Sequence, residues 1–174
     1  MKNWRELLYQ RWEPERSKYL SDLVASNDQV FSEVFNLFYS GQGHEAHRSG
    51  FILGQAFRKN PARLIPRIGT LLSSMKEPPH EWYRWMVLWY LSHCNYPPEY
   101  DGLVATFAFE ELGRPDAKPA LKNACMRLSE FICKRNPELI PEYELYLENI
   151  IDNERPTLVA KAKKQLATLS RYRK

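Results

Sequence analysis

Glycine is scarce in this chain: there are seven in 174 residues, and they never cluster as glycine-rich motifs require. Phosphate-cradling loops, dinucleotide fingerprints and the G-x-S-x-G nucleophile elbow all need clustered glycine, so those chemistries are excluded. Cysteine is scarcer still, with only Cys94, Cys125 and Cys133 and no C-x-x-C pair. Cys125 and Cys133 fall on one expected helix, about 12 Å apart along its axis at 1.5 Å per residue. That is too far for a disulfide, and unbridged thiols fit a reducing, cytoplasmic setting. Long apolar runs are missing too. The longest, residues 85–91, is far short of the roughly 20 residues that span a bilayer. Residues 1–15 lack the apolar centre of a signal peptide. Neither export nor a membrane partner is expected. Strict alternation of apolar and polar residues is also absent. The single Asp-Gly pair, Asp101-Gly102, sits inside a helical pattern and does not signal a hairpin.

What is present is ordinary for a folded domain: 44% apolar and 26% charged residues, with a net charge of +4. The twelve prolines fall mostly between stretches of helical periodicity. The pattern predicts a short helical lead over 3–11, with Trp4, Leu7, Leu8 and Trp12 to one side, and a helix over 14–25 opened by Pro14. A third helix over 28–40 is capped by Asn27-Asp28, carries a wide stripe from Val30 to Phe38, and ends at the cluster Ser40-Gly41-Gln42-Gly43. Further helices are expected over 44–59, 61–75, 80–94, 98–112, 117–135, 137–152 and 156–170. Pro66 should kink the 61–75 helix, since it lacks an N–H and crowds the preceding turn, and Pro141 is placed similarly. Asp116 is the expected cap of the 117–135 helix, and residues 171–174 are expected to fray.

Residues 60–91 read as a helix, a Pro-rich break and a second helix, and their pieces recur. Arg135-Asn136-Pro137-Glu138-Leu139-Ile140-Pro141 echoes residues 59–66, and His44-Glu45-Ala46-His47-Arg48 echoes His80-Glu81-Trp82-Tyr83-Arg84. Arg48, Arg84 and Lys122 fall at one equivalent position, with spacings of 36 and 38 residues. Two-helix periods of that size mark stacked helical hairpins, each unable to bury its apolar faces alone.

The order Leu64-Ile65-Pro66, Leu71-Leu72, Pro78-Pro79 and Arg84 resembles the HEAT-repeat family over residues 28 to about 170, and the whole resembles small bacterial HEAT-like proteins without assigned chemistry. The resemblance implies an all-α fold. It would be a right-handed α-α superhelix of about four HEAT-like hairpins over 28–170, with residues 1–27 as an N-terminal helical cap and 1–174 forming a single domain. The chain departs from the family at the turn Asp. Asp116 stands before Lys122, but Gln42 and Pro78 occupy the other two places.

Charge is sorted by layer. The second helices with their tails (44–59, 80–94, 117–135 and 155–174) carry sixteen Lys and Arg against Glu45, Glu81 and Glu130. Residues 137–154 carry six acids and no base. In the family the second helices line a concave face, so the resemblance implies a basic concave layer. Two readings of that layer stand: a surface for phosphates, or a solvated layer that pairs with its acidic neighbour. The helix over 80–94 is aromatic on both sides, with Trp82, Trp85, Met86, Trp89 and His93 on one face. It is either wedged into a core or presents indoles to a ligand.

Catalytic motifs do not accompany this architecture. His44-Glu45-Ala46-His47 has the two His three apart where the zinc-protease motif needs four, and no third ligand is evident, so no metal is expected. His93 and Cys94 are sequence neighbours whose side chains diverge on a helix, unlike a Cys-His pair. No cofactor is implied. The sequence points to a non-enzymatic interaction or scaffold module that binds a protein or peptide partner in a groove. Its candidate residues are Arg48, Arg84, Trp85, Trp89, Lys122 and Arg127. The alternative is a nucleic-acid-binding HEAT-like protein. Its enzymatic form would resemble the HEAT-like DNA glycosylases for alkylated bases, with Glu81 as the acid nearest the tryptophans.

Overall fold

The computed structural model describes residues 4–11 and 13–172, with Trp4 and Arg5 described by their backbone alone. The expected side for the Trp4 and Trp12 rings, and the fraying of residues 173–174, lie outside the described residues. The described residues form ten α-helices and no strand: Trp4–Tyr9 (α1), Pro14–Ser26 (α2), Asp28–Ser40 (α3), Gly43–Lys59 (α4), Ile68–Ser73 (α5), Tyr83–Leu91 (α6), Asp101–Gly113 (α7), Pro119–Arg135 (α8), Ile140–Asn153 (α9) and Pro156–Leu169 (α10). The fold is all-α. It divides into two compact units, Met1–Tyr96 and Pro97–Lys174.

Local chemistry sets most helix ends. Asn27 caps α3, its Oδ1 accepting from the Val30 N–H at 3.0 Å. Gly43, with φ of +53°, supplies the left-handed residue at the start of α4. Prolines stand in the first turns of α2, α8, α9 and α10, where a missing N–H costs nothing.

Three expectations need correction. Residues 61–75 do not form one kinked helix. Pro61–Arg63 and Ile65–Arg67 are two successive 3-10 turns, and only Ile68–Ser73 is α-helical. Pro61 and Pro66 each withhold a donor, and the chain tightens to i→i+3 bonds there. Pro141, by contrast, lies in the first turn of α9 and kinks nothing. Asp116 does not cap α8. Pro119 opens that helix without a side-chain cap, and Asp116 bonds Arg114 at 2.8 Å.

In the first unit α4 is central, packing against α2, α3 and α6. Its core is aromatic. The Phe38 ring lies nearly parallel to Tyr83 (centroids 5.3 Å, interplanar 6°) and meets the edges of Tyr90 and His80 at 5.7 and 5.2 Å. Leu64, Ile68 and Leu71 complete it from the 3-10 and α5 segment. Side chains at the end of α4 and just beyond it reach back to the end of α2. Lys59 bonds Asp22 at 2.6 Å, and Arg63 donates to the Ala25 carbonyl at 2.8 Å.

In the second unit α7 packs on α8, and α9 and α8 both pack on α10. Phe109 lies parallel to Tyr143 at 5.7 Å, a second copy of the Phe38–Tyr83 arrangement. The Tyr143 hydroxyl is buried against Gln165 Oε1 (2.7 Å), and Gln165 Nε2 donates to Glu130 at 2.7 Å.

Candidate functional site

The α4 helix carries Gly50 and Gly54 one turn apart on the side that meets α6. A methyl group at Gly50 would stand 2.8 Å from the Phe38 ring, and one at Gly54 would stand 2.7 Å from two carbons of Trp89. Glycine at position 54 lets α6 lie against the α4 backbone itself, and glycine at position 50 makes room for the Phe38 ring of α3 and for Met86 of α6. The buried Tyr90 hydroxyl closes the contact by donating to the Gly50 carbonyl at 2.7 Å.

That close approach builds an aromatic ladder from both helices. His47 and Phe51 lie one turn apart on α4. On and around α6, Trp82, Trp85, Trp89 and His93 follow at helical spacing. His47 sits 4.5 Å from Trp82 and 6.1 Å from Trp85, nearly parallel to the latter. Phe51 stacks on Trp89 at 5.6 Å and 17°, and His93 meets Trp89 edge-on at 5.8 Å. All six side chains are half-buried. Of the indoles, Trp89 fills the space above Gly54 and is half-buried.

The remaining residues picked out in the sequence take different roles. Arg48 bonds the carbonyls of Leu8 and Gln10 at the end of α1, the latter at 3.1 Å. Arg84 Nε donates to the Met75 carbonyl at 2.7 Å, beyond the end of α5. Both guanidiniums flank the ladder and hold backbone ends. Lys122 is a correction to the expected groove: its side chain is 3% exposed and ion-pairs with Glu154. An ammonium that deep needs a carboxylate partner, and Glu154, just past α9, supplies it. Arg127 is exposed on α8. The first four candidates belong to the first unit and the last two to the second.

Reactive groups are few. Glu45 accepts from the Tyr9 hydroxyl, and among the described residues no three His, Cys, Asp or Glu side chains converge. His93 Nδ1 lies 3.0 Å from the Trp89 carbonyl, while the Cys94 sulfur turns to the Phe57 carbonyl at 3.8 Å. Burial pushes the Cys94 thiol up to about 11 and Cys133 to about 12, and raises Cys125 further, so all three stay protonated at neutral pH. Glu81 is exposed.

Phe51, Gly50 and Gly54 were not singled out in the sequence, and His47 was weighed there only within the His44–Arg48 echo and as a metal ligand. The signal was there for the glycines. Two glycines four apart inside a strong helical pattern cost helix propensity twice, which makes sense only where a neighbouring element comes close.

A family profile described as a HEAT repeat domain matches residues 4–169. No curated protein and no solved structure matches the chain.

Proposed function

The chain belongs to the HEAT-repeat domain family, and from that premise we propose that it is a non-enzymatic interaction module whose partner is a protein or peptide docking on the aromatic ladder of the first unit. Repeats of this kind commonly serve as interaction scaffolds. The observation that carries the reading is the ladder itself. Six half-buried aromatic side chains are held by ring contacts, stacked for His47–Trp85 and Phe51–Trp89 and tilted or edge-on for the others, where α6 comes close to α4 at Gly54. Rigid aromatics lose little conformational entropy on binding and offer large contact area, the usual make-up of an interface anchor. Trp85 and Trp89 are the contact residues in this reading. Arg48 and Arg84 hold the ends of neighbouring segments on either side.

A photo-crosslinking residue at Trp85 should capture a discrete partner from the native host, and Trp89→Ala should weaken that capture at least about tenfold, as hot-spot truncations do. A Lys76→Gln variant, altered at an exposed position of the same unit, should capture normally. If folded Trp89→Ala retains every partner at the parental level, the ladder is a packing feature and the proposal fails.

A further inference from the structure

The second unit holds an arrangement that its own fold does not use. Lys161 of α10 reaches across to α8 and donates to Asn123, at 2.9 Å to the carbonyl and 2.5 Å to Oδ1. Arg127 lies one turn beyond Asn123 on the same helix. Among the described residues Arg127 has no hydrogen bond and no ion pair, and Lys161 has no carboxylate. Glu130, the acid within electrostatic reach of Lys161, is already taken by Lys134 at 2.7 Å and by Gln165 at 2.7 Å. Three other cations of the unit are compensated. Lys122 pairs with Glu154, Arg135 with Asp101, and Arg114 with Glu111 and Asp116. Lys161 and Arg127 thus stand as like charges side by side, with donors to spare: the third ammonium N–H, the Asn123 amide and the whole guanidinium fork.

We infer that Asn123, Arg127 and Lys161 form a phosphate-binding site whose ligand is the phosphodiester backbone of a single-stranded nucleic acid. A bound phosphate would accept from the spare donors and relieve the repulsion between the two cations. The surroundings favour a chain of phosphates over a lone anion. Lys163 and Lys164 are exposed on α10, and Arg155 and Arg171 are exposed beside its two ends. None of the four has a carboxylate partner among the described residues. Of these, Lys164 lies three residues on from Lys161 and shares its side of α10, and Arg155 and Arg171 bracket the helix, about 20 Å long at 1.5 Å per residue.

The site should also respond to pH. Burial, then the Arg127 charge, pulls Lys161 down to about 8, against smaller opposing effects from Glu130 and Cys125. Those groups face it from α8. From α9, Tyr143 reaches only as far as Gln165, and on its own helix Lys164 adds a further positive charge. The ammonium is therefore mostly present at pH 7 and mostly lost by about pH 9, so phosphate affinity should fall as pH rises through about 8.

The test uses the full chain and a fluorescent oligothymidine of about twelve nucleotides, with anisotropy read across salt and pH. The unaltered protein should bind, with log K falling linearly in log salt. Arg127→Gln and Lys161→Gln should each reduce that slope by about 0.7, the value for one lost single-strand contact. Lys161→Arg should keep the slope and abolish the loss of affinity between pH 7 and 9, since guanidinium does not titrate there. Lys76→Gln, on the other unit, should change neither. Absence of binding at low salt, slopes unaffected by both Gln variants, or a pH profile unchanged in Lys161→Arg would each overturn the assignment. Two competitors separate the sources of phosphate. Displacement of the oligonucleotide by equimolar inorganic phosphate, or tighter binding of a doubly phosphorylated peptide, would overturn the choice of ligand.

Discussion

Replacing Gly54 with alanine sets two known effects against each other. A Cβ there would lie 2.7 Å from Cε3 and Cη2 of Trp89 and closer still to Cζ3. Ordinary carbon contact is about 3.5–4.0 Å, so the indole must withdraw by roughly 1 Å or more. It has little freedom to do so. Phe51 stacks on it at 5.6 Å, and the Tyr90 and His93 rings flank it at 5.9 and 5.8 Å. Overpacking of this kind costs about 1–3 kcal/mol. The same substitution gains up to about 1 kcal/mol of helix propensity. Repulsion should win, leaving a net loss of about 1–2 kcal/mol and a melting temperature lower by roughly 2–8 °C. Urea unfolding followed by circular dichroism and tryptophan fluorescence measures it. The decisive arm is the double variant. With Trp89→Ala in place the clash is gone, so Gly54→Ala should become neutral or stabilise by up to about 1 kcal/mol. Equal effects of Gly54→Ala in both backgrounds would refute the reasoning. So would a rise in stability on the unaltered background. The single variant should also weaken the partner captured at Trp85, although residue 54 touches no partner.

Other outcomes follow from buried groups. Lys122→Ala leaves the Glu154 carboxylate, 18% exposed, without its partner. It should lower stability by about 2–3 kcal/mol, with part of the loss recovered by adding Glu154→Gln, as a denaturant series would show. His80 donates from Nε2 to the Phe38 carbonyl (2.7 Å) while its buried Nδ1 has no partner, and desolvation lowers its pKa below 6.5. Between that lowered value and 6.5 the unfolded chain holds more protons than the folded one. Stability should therefore fall as pH drops through this window, and His80→Gln should flatten the fall in melting experiments. Cys94, held up to about 11, is thiolate to about one part in a thousand at pH 8. Alkylation of the native protein should therefore be slow and should accelerate sharply with unfolding, in a mass-resolved time course.

Helices with a single clear stripe were legible from sequence alone. Asn27 and the Val30–Phe38 pattern fixed α3 to the residue, and Pro156 fixed the start of α10. Residues 61–75 were less so, because a proline within a helical pattern signals disturbance without saying whether the chain kinks or tightens. The outcome depends on Leu64 and Ile68 both having to face the core, a tertiary demand. The same limit applied to charge. Arg48, Arg84 and Lys122 fall at equivalent spacing, yet the two arginines serve backbone carbonyls and the lysine a half-buried carboxylate. Sequence period carries position; it does not carry what stands opposite. Trp85 and Trp89 were found because tryptophan is rare and clustered, whereas their partners His47 and Phe51 lie more than thirty residues away.

The paired 3-10 turns at Pro61–Arg63 and Ile65–Arg67 bear on how the first unit comes apart. Each is held by single i→i+3 bonds, such as Leu64 N–H to the Pro61 carbonyl at 3.0 Å, and two prolines leave that stretch with fewer amides to protect. Its surface is largely open at Pro61, Ala62, Ile65, Pro66 and Arg67. Free-energy barriers to opening are lowest where backbone bonds are few and solvent is near. The segment is thus the natural breathing point of the unit. Deuterium should enter its amides ahead of those in α4, and a protease under native conditions should make its first cut there.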